Sequence, residues 1–237
     1  MRPVPDPTTI AGIVLAGGRS KRMGGSQKCL LPLGGRALIA HAVTRARPQV
    51  GALVISANAD QEAFAPFGPV LGDPVPGHVG PLAGVLAGLL WAARDERFAW
   101  VASFAGDSPF APPDLVARMA GAIGAEGADV AVATSGGQRH PVFALWPVDR
   151  TGLLRRYLEQ EDGRRVSAFL DRLRVAEVDY PVEPTDPFLN INEPTDLERA
   201  EAQLALEYRA RLRQAEATQQ LRRANQTLRG LRGRGAA

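Results

Sequence analysis

Between Leu15 and Lys28 the chain reads LAGGRSKRMGGSQK, with four glycines and four cationic side chains in fourteen residues. Glycines let successive backbone N–H groups turn toward an anion without Cβ interference, and Arg and Lys supply forked and point charges for phosphate oxygens. The stretch is a phosphate loop by composition. It contains neither G-x-x-x-x-G-K-[ST] nor G-x-G-x-x-G, so the P-loop and dinucleotide-fingerprint readings lose their signatures.

Other residues with chemical potential are spread along the chain. Asp107 follows the apolar run Ala99 to Ala105 after a single glycine, which puts a hard carboxylate beside the loop, although an aspartate just before Ser108-Pro109 also suits a turn. Asn58 and Asp73 each end an apolar stretch, where turn chemistry is an equal reading. Gly80-Pro81-Leu82-Ala83-Gly84 is either a helix start or an entrance whose small residues admit a ligand. Asn190 and Asn192 alternate along an extended segment and so face the same way; for Asn192 a capping role before Pro194 weighs as much as a binding one. The three histidines are His41, His78 and His140, none in a motif that would serve as a base for a serine or a water.

These residues need a scaffold, and the apolar runs supply it. Ala11–Ala16, Ala52–Ala57, Ala99–Ala105 and Ala128–Ala133 are short, almost continuously apolar and bounded by turn residues, as strands buried on both faces of a parallel sheet are. Helical patterns lie between and after them at Ala37–Arg47, Leu82–Arg94 and Pro112–Ile123. Pro141–Trp146 reads as an antiparallel excursion; Leu153–Leu158 and Val166–Leu173 look helical, and Pro194 opens a further helix. The expectation is an α/β fold: a doubly wound, mostly parallel sheet flanked by helices, with a C-terminal helical tail. In such a fold the glycine-rich loop lies at the C-terminal edge of the sheet, where ligands bind.

The series Leu15-Ala16-Gly17-Gly18-Arg19-Ser20-Lys21-Arg22-Met23-Gly24-Gly25, Lys28, Ser56-Ala57-Asn58, Asp73, Gly80 to Gly84, Gly106-Asp107-Ser108-Pro109, Arg139-His140-Pro141, Gly163 to Val166 and Leu189 to Asn192 resembles the molybdenum cofactor guanylyltransferases in identity and order, from about residue 11 to 200. Gln27 and Cys29 depart from the usual pattern, in which an Asp precedes the loop lysine and a Gly follows it. The resemblance implies an enzyme that transfers GMP from GTP to molybdopterin, or to its molybdenum-bearing form, with release of pyrophosphate and with Mg²⁺ on the phosphates. It implies catalytic roles for Lys28, Arg22 and Asp107, with Asp107 as metal ligand. GTP contacts fall on Leu15, Ala16, Gly17, Gly18, Lys28, Asn58, Asp73, Gly80, Pro81, Leu82 and Asp107, and molybdopterin contacts on Asn190 and Asn192. Acceptor molybdoenzymes and their chaperones are the implied protein partners. Competing readings are a molybdopterin cytidylyltransferase or sugar-phosphate nucleotidyltransferase, whose loops more often read Leu-Ala-Ala-Gly, and a carrier that binds molybdopterin nucleotide without turnover.

Composition sets the outer bounds. The 237 residues are 45% hydrophobic, 22% charged and 6% aromatic, those of a globular chain rather than a disordered or fibrous one. The most apolar run, Gly80 to Ala93, falls short of the roughly 20 residues that span a bilayer, so no membrane crossing is expected. The first residues, MRPVPDPTTIAG, lack the unbroken apolar core of a secretory signal, and a single cysteine fits a reducing compartment. The expected location is the cytoplasm. Residues 208–237 carry eight arginines against one acid, Glu216; the chain's +3 less the tail's +7 leaves the body at −4. The basic charge therefore belongs to an appendage, and nucleic acid ranks last among partners. The expected organisation is an N-terminal extension over 1–10, a nucleotidyltransferase domain over 11–207, and an arginine-rich tail over 208–237, helical at first and then dissolving into Gly-Leu-Arg-Gly-Arg-Gly.

Overall fold

A computed structural model of the chain describes residues 5–17, 27–75, 80–160, 165–183 and 185–234, with the backbone alone at 160, 211 and 221–234. Gly18 and Arg22, the rest of the loop between Arg19 and Ser26, His78, and Gly163 with Arg164 lie outside the described residues.

A seven-stranded sheet forms the centre. Its strands are β1 (Ile10–Leu15), β4 (Ala52–Ser56), β5 (Val70–Leu71), β6 (Trp100–Ala105), β7 (Val130–Ser135), β8 (Gln138–Pro147) and β9 (Val175–Tyr180), in the spatial order β5-β4-β1-β6-β8-β7-β9. Neighbours pair in parallel except at β8, which runs antiparallel to both β6 and β7. The sheet is thus mostly parallel, and Pro141–Trp146 is the antiparallel excursion its polar link foretold.

Helices α1 (Leu38–Ala46), α3 (Pro81–Ala92), α4 (Leu115–Glu126), α5 (Thr151–Gln160) and α6 (Val166–Leu170) follow the apolar patterns within a few residues. A short helix α2 (Gln61–Phe64) and a hairpin of β2 (Pro32–Leu33) and β3 (Arg36–Ala37) are too brief to have left a periodic signal. Strand β9 also escaped the sequence pattern. Buried Ala176, Val178 and Tyr180 alternate with exposed Glu177 and Asp179, the signature of an edge strand with one wet face rather than a doubly buried run.

Apolar side chains fill both faces of the sheet, Val14, Ile55 and Phe104 in one core and Ile13, Val54 and Leu86 in the other. The second core depends on glycines. A Cβ on Gly84 would lie 2.7 Å from both the Leu15 side chain and Ser56 Oγ, and one on Gly88 would lie 2.9 Å from Ile13. Helix α3 therefore lies flush on β1 and β4 and carries its N-terminus to the edge of the sheet.

Helix α7 (Pro194–Arg234) is 41 residues long. Leu197, Ala200 and Leu204 pack with Leu33, Leu38, Phe110 and Ile191 into a third apolar cluster. From there the helix continues through Arg234, where glycine content alone predicted fraying. The Arg, Leu, Gln and Ala that dominate its sequence are good helix formers, and each glycine costs only about 1 kcal/mol against alanine. Among the described residues no helix is long and apolar enough to cross a membrane.

Candidate active site

Three strand ends and one extended segment converge at the C-terminal edge of the sheet. The end of β1 is tied to both neighbours: Ala16 N donates to Ser56 O at 2.9 Å and Gly106 N to Leu15 O at 2.9 Å. Glycine at 106 permits a close approach, since a Cβ would stand 3.0 Å from Cys29 Sγ and 3.1 Å from Leu15 O and those neighbours would have to give way. That close approach brings Asp107, just past β6, to the 3-10 turn Lys28–Leu30. Ile191 N donates to Asp107 O at 3.2 Å, so the Asn190–Asn192 segment is fastened to the same point.

Lys28 is the centre of the cluster. Its Nζ donates to Asp107 Oδ2 at 2.7 Å, to Asn190 Oδ1 at 2.6 Å and to Asn192 Oδ1 at 2.5 Å. An ammonium has three donors, and all three have acceptors. The side chain is only 10% exposed, a degree of burial a lysine tolerates when it is paired. Asn190 and Asn192 do face the same way, as their spacing requires. The capping reading for Asn192 fails: Asp196 Oδ2 accepts from Asn192 N at 2.9 Å and Glu193 N at 3.0 Å, so an acid one turn into α7 caps it and leaves the asparagine side chain to Lys28.

A second polar pair stands across the edge. Asn58 Nδ2 donates to Asp73 Oδ2 at 2.5 Å and Asp73 N donates to Asn58 Oδ1 at 2.7 Å, which locks the end of β4 to the segment after β5. Gln27 Nε2 donates to Asp60 Oδ2 at 2.9 Å, and Asp60 holds the left-handed conformation at φ 53°. Cys29 is buried; desolvation, reinforced by the Asp107 charge, pushes its thiol far above the usual range, so it serves as packing rather than as a nucleophile.

Between these groups lies a cavity of about 340 Å³. Of the residues singled out from the sequence, Leu15, Gly17, Asn58, Asp73, Gly80, Pro81, Asp107 and Asn190 line it. Lys28 and Asn192 join through their bonds to Asp107 and Asn190. Two candidates do not reach the lining: Ala16 is buried in one core and Leu82, the second residue of α3, is fully buried in the other. Ser56, Gly84, Ala105 and Val142 line the cavity as well. Ser56 and Ala105 are strand-terminal positions that the sheet-edge rule could have flagged. Val142 had no signal, because it arrives on the antiparallel β8. Gly17 and Gly80 leave open space where a Cβ would stand, and Gly80 has φ +74°, a conformation that favours glycine.

Among the described residues no three His, Cys, Asp or Glu side chains converge as a metal cage. A magnesium ion bound with a nucleotide needs only one or two carboxylates plus phosphates and waters, and Asp107 is of that kind.

The MobA-like NTP transferase domain matches residues 12–175. A molybdenum cofactor guanylyltransferase of Mesorhizobium japonicum is 50% identical over 195 residues, 81% of this chain and 94% of that one. Its counterpart from a Bradyrhizobium species is 48% identical over 204 residues, 85% of this chain and 96% of that one. The chain belongs to the MobA-like NTP transferases and, among them, to the molybdenum cofactor guanylyltransferase family. A solved structure of molybdopterin-guanine dinucleotide biosynthesis protein A from Archaeoglobus fulgidus superposes with a TM-score of 0.65 at 27% identity, covering 82% of this chain and 98% of that one. The MobA-like match ends before Asn190, so the guanylyltransferase cluster around Lys28 draws two of its three acceptors from beyond the matched domain.

Proposed function

We propose that the cavity binds GTP with its guanine toward Asn58 and Asp73 and its phosphates toward Lys28 and Asp107, and that Asn190 and Asn192 receive molybdopterin. The protein transfers GMP from GTP to molybdopterin. A terminal phosphate oxygen of the pterin attacks the α-phosphorus as the bond to the bridging oxygen of the leaving pyrophosphate breaks, giving a dinucleotide and free pyrophosphate. The nucleophile is already ionised at neutral pH, so no side chain has to remove a proton. What remains for the chain is positioning and charge neutralisation, the usual content of phosphoryl-transfer catalysis.

The observation that carries this reading is the Lys28 cluster at the rim of the cavity. It places a buried cation, a carboxylate and two amides within one hydrogen-bonded group, with Lys28 held ready for charge that builds on the leaving phosphates. Asp107 would hold Mg²⁺, which when bound offsets the phosphate charge. Arg22 is a further phosphate contact in this reading. Guanine selectivity follows from Asp73: a carboxylate oriented by Asn58 is an acceptor for the N1–H and 2-amino donors of guanine, an adjacent pair that cytosine does not present. Gly17 and Gly80 give the base its room. The reading places the reaction in the cytoplasm, with acceptor molybdoenzymes and their chaperones taking the product.

Pyrophosphate release measured with each of the four nucleoside triphosphates plus molybdopterin tests it. Only GTP should support release, and calorimetry should show GTP binding at least about tenfold tighter than CTP, a difference of about 1.4 kcal/mol. A preference for CTP would move the protein to cytidylyl transfer, and binding without pyrophosphate release would make it a carrier.

A further inference from the structure

The Ser135–His140–Asp186 group lies outside the cavity lining, yet it holds the segment that delivers Asn190 and Asn192. Asp186 Oδ1 accepts from Ser135 Oγ at 2.9 Å and from Phe188 N at 2.9 Å, and His140 Nε2 lies 2.6 Å from the same Ser135 oxygen. Ser135 has one proton and gives it to Asp186, so its oxygen accepts from His140 Nε2–H. The three side chains form a directed chain from the β7–β8 hairpin to residue 186.

Ring contacts reinforce the polar chain. Phe188 is held by His140 at 4.6 Å, Phe143 at 4.8 Å and Tyr180 edge-on at 5.4 Å between centroids. Two residues beyond Phe188 comes Asn190, and two beyond that Asn192. The hairpin end is itself constrained. The β7–β8 register jumps from Val132↔Ala144 to Ala133↔His140, so Pro141–Phe143 bulge out of the ladder, and Ser103 Oγ anchors the bulge by donating to Val142 O at 2.6 Å. One irregularity in β8 thus supplies a wall of the cavity at Val142 and the clamp on Phe188.

We propose that His140, Ser135 and Asp186 are positioning residues for the acceptor half of the site, setting where Asn190 and Asn192 stand and leaving the nucleotide half at Asn58 and Asp73 untouched. The inference rests on the reading that Asn190 and Asn192 receive molybdopterin. Within it, His140 has a use that requires no proton transfer: its Nε2–H donates whether the ring is neutral or charged.

The test uses the full chain and the variants S135A, H140L and H140Q, the last of which keeps a donor near the position of Nε2. In the ligand-free protein, S135A and H140L should move the side-chain amide resonances of Asn190 and Asn192, and H140Q should leave them near their wild-type positions. With substrates, S135A and H140L should raise the KM for molybdopterin by about tenfold, with the affinity for GTP kept within about twofold and kcat within about threefold. Unmoved asparagine amides, or an equal loss toward GTP and molybdopterin, would overturn the proposal, as would H140Q behaving like H140L. If the wild-type protein releases no pyrophosphate with any acceptor, the functional reading fails by itself, and the amide resonances still decide whether the chain positions the two asparagines.

Discussion

At the scale of single residues, the proposed function divides the work between Lys28 and Asp107. Lys28→Ala removes the cation and leaves three oxygen acceptors facing one another, so turnover should fall by at least about a thousandfold, an interaction realised mainly as charge develops in the transition state. GTP affinity should fall much less. Steady-state rates beside calorimetric affinities check this, and a near-wild-type rate would remove Lys28 from the mechanism. Asp107→Asn keeps the shape and still offers Lys28 an amide oxygen, so the fold should survive. The Mg²⁺ concentration needed for half-maximal rate should rise steeply and kcat should drop by about a hundredfold or more. Overlaid Mg²⁺ titrations of variant and wild type would reduce Asp107 to a structural partner of Lys28.

At the scale of elements, the contact between α3 and the first two strands is a prediction about packing. Gly84→Ala puts a methyl group 2.7 Å from the Leu15 side chain and Ser56 Oγ, so the helix or the strands must shift. The expected cost is about 1–3 kcal/mol in urea unfolding, with weaker GTP binding because Gly80 and Pro81 ride on the same helix. Wild-type stability and affinity together would show that α3 has slack. The edge strand β9 offers a pH-dependent case. Arg174 donates to Asp129 from Nε at 3.1 Å, from Nη2 at 3.2 Å and from its backbone N at 3.2 Å, with Arg150 nearby. The Arg174 side-chain bonds are the main cause that holds the Asp129 carboxyl at about 2, against 3.8 in the free side chain. A carboxyl depressed in the folded state stabilises it above the unfolded pKa, and this contribution fades as pH falls from about 4 through about 2. Its upper bound is about 2 kcal/mol, less in practice because the Arg174 side chain is 70% exposed. Denaturant unfolding of Asp129→Asn should therefore show a deficit at pH 7 that closes toward pH 2; a deficit independent of pH would mean that the charge is not what pins β9.

At the scale of the whole molecule, the expectation is that the −4 body works without the distal part of the +7 tail. Helix α7 is held through Leu197, Ala200 and Leu204 and by the ion pair of Arg45 with Glu207, whereas Tyr208 and Leu212 already stand exposed. A chain ending at Thr218 keeps every one of those anchors and should fold and transfer GMP at the normal rate. It should lose most of any affinity for polyanions, and that affinity in the full chain should fall steeply with salt. Loss of transfer on truncation would show that the distal helix completes the site.

The sequence alone determined the five central strands of the sheet, its main flanking helices and the edge at which the candidate site gathers. Doubly buried strands and amphipathic helices are written in local periodicity, and a glycine-rich cationic loop after the first strand needs no distant partner to be read. Asp107 was legible from its place after a strand, though turn chemistry competed for it, and Lys28 from the cationic loop and the family resemblance. The tertiary structure decided what depends on separation along the chain. That Lys28 spends all three protons on Asp107, Asn190 and Asn192 joins positions up to 164 residues apart, and that Asp196 frees Asn192 from capping is a choice between two equally good local partners. Val142 reaches the cavity and Leu82 does not because a bulge in β8 and the flush seating of α3 set side-chain directions, and neither can be computed from spacing. Strand β9 stayed hidden because its acidic outer face looks like a loop until β7 supplies the ladder that makes it an edge.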